Sequence, residues 1–121
     1  EFVAAMEHVV GPQEKVECVC IGPDDNMDER RQEILLKAKN MDTGDGVLLL
    51  TDMFGGTPSN LAMSVIGHGH FDVIAGANLP MLIKLATARK DMPLSECVVC
   101  AQEAGKKYIN VASQLLNGGN K

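Results

Sequence analysis

The sequence predicts an α/β protein with a doubly wound, mainly parallel β-sheet and helices on both faces. Strand-like and helix-like segments alternate along the chain, and the strand over residues 47–51 (VLLLT) is apolar without alternation. A strand that is apolar on both faces is typical of a parallel sheet with helices on each side. The length of 121 residues predicts a single domain over residues 1–121.

The composition excludes several classes of protein. Hydrophobic residues make up 45% and charged residues 22% of the chain, which suits a folded domain rather than a disordered one. Lys and Arg total 11 against 16 Asp and Glu, so no basic surface for nucleic acid is expected. No apolar run approaches the roughly 20 residues of a membrane-spanning helix. No secretory signal is apparent either.

The four cysteines lie in two short pairs, Cys18 with Cys20 and Cys97 with Cys100. We interpret them as free thiols in a reducing cytoplasm, because a chain with this core does not need disulfides. A four-thiolate zinc site would require both pairs to converge, and the C-x-C spacing is unusual for one. We therefore predict neither a metal site nor a cofactor.

The beginning of the chain predicts a helix without a strand before it. Apolar residues recur at helical spacing over residues 2–10, and Gly11 and Pro12 end the pattern. The helix has no N-cap residue, and the alternating pattern that follows contains few strands for a doubly wound sheet. We expect that a first strand, central in the sheet, is missing from these 121 residues.

Three strand-then-helix units follow. The predicted strands are residues 16–21, 47–51 and 71–75. The predicted helices begin near Asn26, at Thr57 as an N-cap with Pro58 after it, and after Asn78.

A last helix is predicted from Pro93 to residues 117–119. Gly105 is a candidate break in this helix, and residues 96–101 are a candidate edge strand instead.

In an open α/β sheet, ligands bind at the carboxyl ends of the strands. Of the three loops expected there, residues 22–25, 52–58 and 76–78, the middle one carries the most chemistry. It belongs to the run TDMFGGTPSN at residues 51–60. Glycines that lead into a helix N-terminus form an anion site, most naturally for phosphate, and we assign Gly55, Gly56 and Thr57 to it.

Asp52 follows the buried strand directly, where a carboxylate is costly unless it is paired. An acid beside a phosphate site is explained if a histidine lies between them. The acid then holds one ring nitrogen, and the other nitrogen takes the phosphoryl group. The alternative is that Asp52 is an ordinary loop carboxylate and the two glycines form a tight turn.

None of the three histidines suits that role. His8 is expected on the surface of the first helix, whereas His68 and His70 precede the third strand, at its amino end. The fitting place for a histidine is the end of the missing strand. We therefore assign no phosphoryl acceptor within these residues.

Two segments resemble a known family. GVLLLTDMFGGTPSN (residues 46–60) resembles the signature of the EIIA domains of the mannose family of the bacterial phosphotransferase system. DVIAGANLPML (residues 72–82) is similar to the second hallmark segment of that family. The order of elements agrees from Phe2 to about Leu116.

The resemblance implies a cytoplasmic phosphocarrier of sugar uptake. A histidine at the end of the first strand would accept a phosphoryl group from phospho-HPr and pass it to an EIIB component. Asp52 would support that histidine, and Gly55, Gly56 and Thr57 would receive the phosphoryl oxygens. The family fold commonly forms a homodimer, and it meets the membrane only indirectly, through the permease.

Other readings of the site stay open. Met53 and Phe54 either contact partner proteins at the rim or fill core space under the loop. The domain could be a regulatory sensor of phosphorylation state without a transporter, or a receiver-like domain phosphorylated on Asp52 itself. It could also be a module that binds a nucleotide or a sugar phosphate. The sequence does not identify the sugar.

Overall fold

Alternating strands and helices form the domain in the computed structural model, which describes residues 1–117. The elements in chain order are α1 (Phe2–Val10), α2 (Met27–Met41), β1 (Val47–Thr51), α3 (Thr57–Val65), a 3₁₀ helix (Ile66–His68), β2 (Phe71–Ala75), α4 (Leu79–Ala88), α5 (Leu94–Lys107) and α6 (Ala112–Leu116). Within residues 1–117, no helix is both long and apolar enough to cross a membrane.

The two strands form a parallel pair in which Val47 lies opposite Phe71 and Thr51 opposite Ala75. At the amino end of the pair, the Val47 amide donates a 2.9 Å hydrogen bond to the carbonyl of His70. At the carboxyl end, the amide of Gly76 donates a 3.0 Å hydrogen bond to the carbonyl of Thr51. The predicted strands at residues 47–51 and 71–75 are confirmed.

Helices cover both faces of this sheet. Leu49 packs against a buried cluster of Ile34, Leu61 and Val65 from α2 and α3. The side chains of Leu48 and Leu50 line a cavity together with residues of α4 and α5. Because successive side chains of a strand point to opposite faces, α2 and α3 lie on one face and α4 and α5 on the other. The predicted fold class, a parallel sheet with helices on both faces, is confirmed.

The strand predicted over residues 16–21 is wrong. This segment has no regular secondary structure, and its backbone makes no hydrogen bond to backbone elsewhere in residues 1–117. Its apolar side chains still pack as predicted, since Val19 and Ile21 contact the Ile34 cluster. The apolar pattern therefore correctly predicts that the segment packs on the core. A strand, however, also requires a neighbouring backbone with which to pair.

The predicted helix ends agree with the structure at most positions. The Asn26 side chain accepts a 3.1 Å hydrogen bond from the Glu29 amide at the start of α2. Asn78 caps α4 through the Met81 amide in the same way. The N-cap position of α1 has no side-chain hydrogen bond, as expected.

Gly105 does not break the last long helix, and residues 96–101 belong to α5 rather than to an edge strand. Gly105 is buried where α5 meets α4, and its carbonyl accepts a 2.9 Å hydrogen bond from the side-chain amide of Asn78. A Cβ atom at Gly105 would lie 2.9 Å from the terminal carbon of Met81. The glycine thus permits a close approach of two helices. The single helix predicted from Pro93 to residues 117–119 is wrong, because α5 ends at Lys107 and a separate helix α6 spans Ala112–Leu116. Residues 118 and 119 lie outside the described part.

Candidate phosphate site

The predicted loop lies at the carboxyl edge of the sheet, between the end of β1 and the start of α3. The Thr51 carbonyl accepts 3.0 Å hydrogen bonds from the amides of both Gly76 and Ala77. These bonds tie the loop after β2 to the last residue of β1. The structure therefore brings the predicted loops at residues 52–58 and 76–78 to the same edge.

Helix α3 begins one residue earlier than predicted. Its N-cap is Gly56, with extended backbone, whereas Thr57 is the first helical residue and Pro58 follows in the first turn. The prediction of Thr57 as N-cap is therefore wrong. Pro58 still suits its position, because an amide there would have no partner within the helix.

Ser59 is a site residue that the sequence analysis missed. Its side chain is fully buried, and its hydroxyl donates a 3.0 Å hydrogen bond to the Gly56 carbonyl. The same carbonyl accepts the amide of Asn60 at 3.1 Å. The two bonds fix the first turn of α3. A serine three residues after the glycine pair is the signal that could have revealed this contact.

The first turn of α3 presents amides without backbone acceptors. Among residues 1–117, no backbone carbonyl accepts the amides of Gly55, Gly56, Thr57 or Ser59. The positive end of the helix dipole lies at the same point. Gly55 has φ +88°, a left-handed conformation that glycine adopts readily, and a Cβ atom there would meet nothing within 4 Å. The geometry fits the predicted anion site.

Asp52 is exposed, so the expectation of a costly buried carboxylate is wrong. One of its oxygens accepts a 2.8 Å hydrogen bond from the Met53 amide. The strand ends at Thr51, and the next residue already lies in the open loop, where water hydrates the carboxylate. Thr51 itself carries a buried hydroxyl that has no partner within the described residues.

Met53 and Phe54 lie at the rim of the loop rather than under it. Their exposed fractions are 63% and 60%. Of the two interpretations left open by the sequence, core filling is therefore excluded. Two large apolar side chains exposed side by side are suited to contact with another protein.

The histidines lie away from this loop. His68 ends the 3₁₀ helix and His70 immediately precedes β2, both at the amino end of the strands. A strand advances about 3.3 Å per residue, so the length of β1 separates His70 from Asp52. His8 is exposed in the last turn of α1. Sequence and structure thus agree that none of the three belongs to the Asp52 loop.

The loop at residues 22–25 is occupied by internal contacts. Asp25 accepts a 2.8 Å hydrogen bond from the Gly22 amide and pairs with Arg30 at 3.2 Å. Arg30 also bonds to Glu33, which Lys37 contacts at 3.2 Å. The hydrogen bond from Lys37, followed by that from Arg30, lowers the pKa of Glu33. These charges stabilise the start of α2 rather than add to the Asp52 loop.

No group of three or more His, Cys, Asp or Glu side chains within residues 1–117 is arranged to hold a metal ion. The four cysteines are free thiols. Cys97 is buried in α5, and this burial raises its thiol pKa, whereas Cys18 and Cys20 are exposed.

Fold and loop together define an open α/β protein in which a helix start with unpaired amides lies beside an acidic side chain. A family model described as EIIA-man, PTS system fructose IIA component, matches residues 1–102. The chain therefore belongs to the mannose family of EIIA components of the phosphotransferase system.

Individual relatives agree with this family. The chain is 35% identical over 111 residues to the mannose-specific EIIAB component of Escherichia coli K12, covering 90% of this chain. It spans only about a third, 34%, of the length of that relative. It is 29% identical to the sorbose-specific EIIA component of Lacticaseibacillus casei, covering 99% of this chain and 87% of that one.

A solved EIIA structure from Streptococcus agalactiae has the same fold. It superposes with a TM-score of 0.84 at 21% identity, covering 93% of this chain and 88% of that chain.

Proposed function

We propose that this domain is a phosphocarrier of the sugar phosphotransferase system. It would accept a phosphoryl group from phospho-HPr on a histidine that lies outside these 121 residues and is held beside Asp52, and it would deliver the group to an EIIB component. The observation that carries the proposal is the placement of an exposed carboxylate next to the amide-rich start of α3 at the carboxyl edge of the sheet.

The proposal gives each residue of the loop one role. The Asp52 carboxylate would accept a hydrogen bond from one imidazole nitrogen, which fixes the tautomer and raises the nucleophilicity of the other nitrogen. That nitrogen would attack phosphorus while the N–P bond of phospho-HPr breaks and its electron pair returns to the donor imidazole. The amides of Gly55, Gly56 and Thr57 would stabilise the charge on the equatorial oxygens.

Ser59 would take part as a positioning residue. Its hydroxyl holds the Gly56 carbonyl, so that the amides of the first turn keep their direction toward the phosphoryl oxygens. None of His8, His68 and His70 is assigned as the acceptor, because none lies at the Asp52 loop.

Partners would meet the domain at its exposed apolar residues. Met53 and Phe54 would contact HPr and EIIB, since both are exposed and directly follow Asp52. A homodimer is part of the same proposal, with its contact at a second group of exposed apolar side chains, Tyr108, Ile109, Val111, Leu115 and Leu116. The domain would work in the cytoplasm and reach the membrane only through its permease. Sedimentation of the wild type and of Ile109→Lys tests the dimer contact.

One alternative has a specific observation in its favour. Because Asp52 is exposed and follows β1 directly, its carboxylate could itself be phosphorylated, as in receiver-like domains. A receiver domain has a lysine at the end of a later strand that acts together with the phosphorylated aspartate. Against this reading, the residues that follow β2 are Gly76, Ala77 and Asn78, and none of them is a lysine.

Chemical stability of the phosphorylated protein separates these readings. Phosphohistidine is lost in acid and kept in base, whereas aspartyl phosphate is lost in base. The test is incubation of the protein expressed from its natural gene with phosphoenolpyruvate, Enzyme I and HPr, followed by treatment of separate samples with acid and with base. A sensor without a transporter would pass the same test but would fail to deliver the group to EIIB, and a simple binding module would gain no covalent group.

A further inference from the structure

Cys18 and Cys20 are two exposed thiols with a single residue between them. They belong to the segment of residues 16–21, which has no regular secondary structure. Val19 and Ile21 of this segment both pack against the buried cluster of α2 and α3. Side chains two residues apart share one face of an extended chain. The alternation of packed and exposed residues therefore places both thiols on the face that is turned away from this cluster.

The backbone that carries the two thiols is held in place from the side of α2. The ammonium group of Lys37 donates a 2.9 Å hydrogen bond to the Cys18 carbonyl. Val19, the residue between the two cysteines, packs on the core. These contacts use the backbone and the intervening side chain, so both sulfur atoms stay available. A ligand that bonds to both of them then has less conformational freedom to remove on binding.

The other cysteine pair does not share these properties. Cys97 is buried in α5, and its thiol donates a 3.4 Å hydrogen bond to the Met92 carbonyl. Burial also raises the pKa of the Cys97 thiol. Because the thiolate is the form that bonds to metals, this environment disfavours a metal ligand. Cys18 and Cys20 are thus the pair that a thiol-seeking ligand reaches from solvent.

The spacing of the two thiols favours a bridging atom over a direct disulfide bond. Residues i and i+2 of an extended chain lie about 6.6 Å apart. A disulfide needs Cβ atoms within about 3.5–4.5 Å of each other, so the backbone would have to bend. A metal ion in line between two sulfur atoms needs them only about 4.6 Å apart, for a metal–sulfur bond of about 2.3 Å. Rotation about the two Cα–Cβ bonds brings the sulfur atoms to that separation with the backbone in place.

The number of ligands selects the metal. Within residues 1–117, these thiols belong to no group of three or more His, Cys, Asp or Glu side chains that could hold an ion. Structural zinc takes four protein ligands, and calcium and magnesium require oxygen. Soft thiolates select Cu(I), which accepts two of them in a linear arrangement. Two thiols on one face are therefore sufficient for Cu(I) and insufficient for zinc.

We propose that Cys18 and Cys20 form a binding site for Cu(I), in which each residue supplies one sulfur ligand. Both thiols release their protons to water as the two copper–sulfur bonds form, and the oxidation state of copper does not change. The four-thiolate zinc site that the sequence disfavours would need both cysteine pairs, whereas this site needs one. It shares no residue with the Asp52 loop and does not depend on phosphoryl transfer.

The test is a competition for Cu(I) under reducing, oxygen-free conditions. The protein expressed from its natural gene is titrated into the coloured complex of Cu(I) with bicinchoninate, and loss of colour reports transfer of the ion. Cys18→Ser and Cys20→Ser should each weaken this binding by about 100-fold or more, because either change removes the chelate. The wild type should therefore take up one more Cu(I) per chain than either variant. Cys100→Ser changes a cysteine of the other pair and is the matched control, with uptake equal to that of the wild type.

X-ray absorption at the copper edge measures the ligands directly. The difference between the wild type and Cys18→Ser should correspond to one copper ion with two sulfur neighbours. Circular dichroism checks that the variants fold, and the exposure of both thiols predicts little change in secondary structure.

Three results would each overturn the proposal. The first is equal uptake of Cu(I) by the wild type and by Cys18→Ser or Cys20→Ser. The second is a loss in Cys100→Ser as large as that in Cys20→Ser. The third is a third sulfur neighbour, or two chains for each ion, which would show a site built between molecules. None of these results alters the phosphoryl-transfer experiment, so the two proposals fail independently.

Discussion

The Asp52 carboxylate accepts a hydrogen bond from the amide of Met53 at 2.8 Å, and no other residue of the described chain donates to it. This bond engages one carboxylate oxygen, and within residues 1–117 no hydrogen-bond donor contacts the other. A carboxylate held in this way can accept a further donor without breaking a salt bridge. It is therefore suited to hold the imidazole that the proposed transfer requires.

Asp52→Asn should slow phosphoryl transfer from phospho-HPr by roughly 10- to 100-fold, the usual effect of removing a group that orients a histidine. The exposed position of Asp52 predicts little change in the free energy of unfolding. Asp24→Asn, another exposed acid in a loop between elements, is the matched control and should transfer at the wild-type rate. Quench-flow kinetics measure both variants, each made in the protein expressed from its natural gene. Equal rates for Asp52→Asn and the wild type would remove Asp52 from the mechanism.

Ser59→Ala should lower both stability and transfer. The change leaves the Gly56 carbonyl with one hydrogen bond fewer in a buried setting, which costs about 1 kcal/mol. Ser64→Ala is the control, because its hydroxyl also bonds to a carbonyl three residues before it, that of Leu61, but far along α3. Urea unfolding and transfer rates are measured for both variants, each made in the protein expressed from its natural gene. If Ser64→Ala slowed transfer as much as Ser59→Ala, the effect would reflect general destabilisation.

Gly46→Ala should destabilise the fold by more than about 1 kcal/mol. Gly46 has φ +91°, and a Cβ atom there would lie 2.8 Å from the His70 carbonyl oxygen and 2.9 Å from Leu94. Gly44→Ala is the control that separates backbone strain from steric crowding. Gly44 also has a positive φ, +109°, but a Cβ atom there would meet nothing within 4 Å. Thermal unfolding of both variants should therefore show the larger loss for Gly46→Ala. Equal losses would mean that the contacts with His70 and Leu94 relax without cost.

Asp42 should make the domain sensitive to acid. Its carboxylate accepts the amides of Gly44 at 2.8 Å and of Gly46 at 3.0 Å, and these bonds lower its pKa, with a smaller contribution from His70. Because the folded pKa lies below the unfolded one, Asp42 stabilises the fold above its ordinary pKa. That contribution is lost as the pH falls through the lowered value, below about pH 4.

Asp42→Asn should therefore unfold more readily near neutral pH and lose part of the acid dependence. Urea titrations between neutral pH and about pH 2 compare it with the wild type over the range in which carboxylates titrate. Parallel stability curves for the two proteins across this range would contradict the assignment.

The sequence predicts the parts of the fold whose signals are local. The apolar run over residues 47–51 and the caps Asn26 and Asn78 depend on neighbouring residues only, and the structure agrees with each. Residues 16–21 have the side-chain pattern of a strand but depend on pairing with distant backbone, which no local pattern contains. Gly105 was a candidate helix break for the same reason. Its role, a close contact between α5 and α4, depends on residues distant in the sequence.

In the candidate site too, the features that depend on local sequence could be predicted and those that depend on tertiary packing could not. Gly55, Gly56 and Asp52 could be predicted as candidate site residues, because a carboxylate and two glycines directly after an apolar strand are visible in the local sequence. The burial of Ser59 and the exposure of Asp52 could not, since both depend on how α3 packs against the sheet.

The central claim is that the domain carries a phosphoryl group on a histidine. The most direct test is intact mass spectrometry of the protein isolated from cells that express its natural gene, before and after incubation with phosphoenolpyruvate, Enzyme I and HPr. The account predicts a gain of one phosphoryl group that acid removes and base leaves in place. No gain in mass, or a gain that base removes, would contradict it.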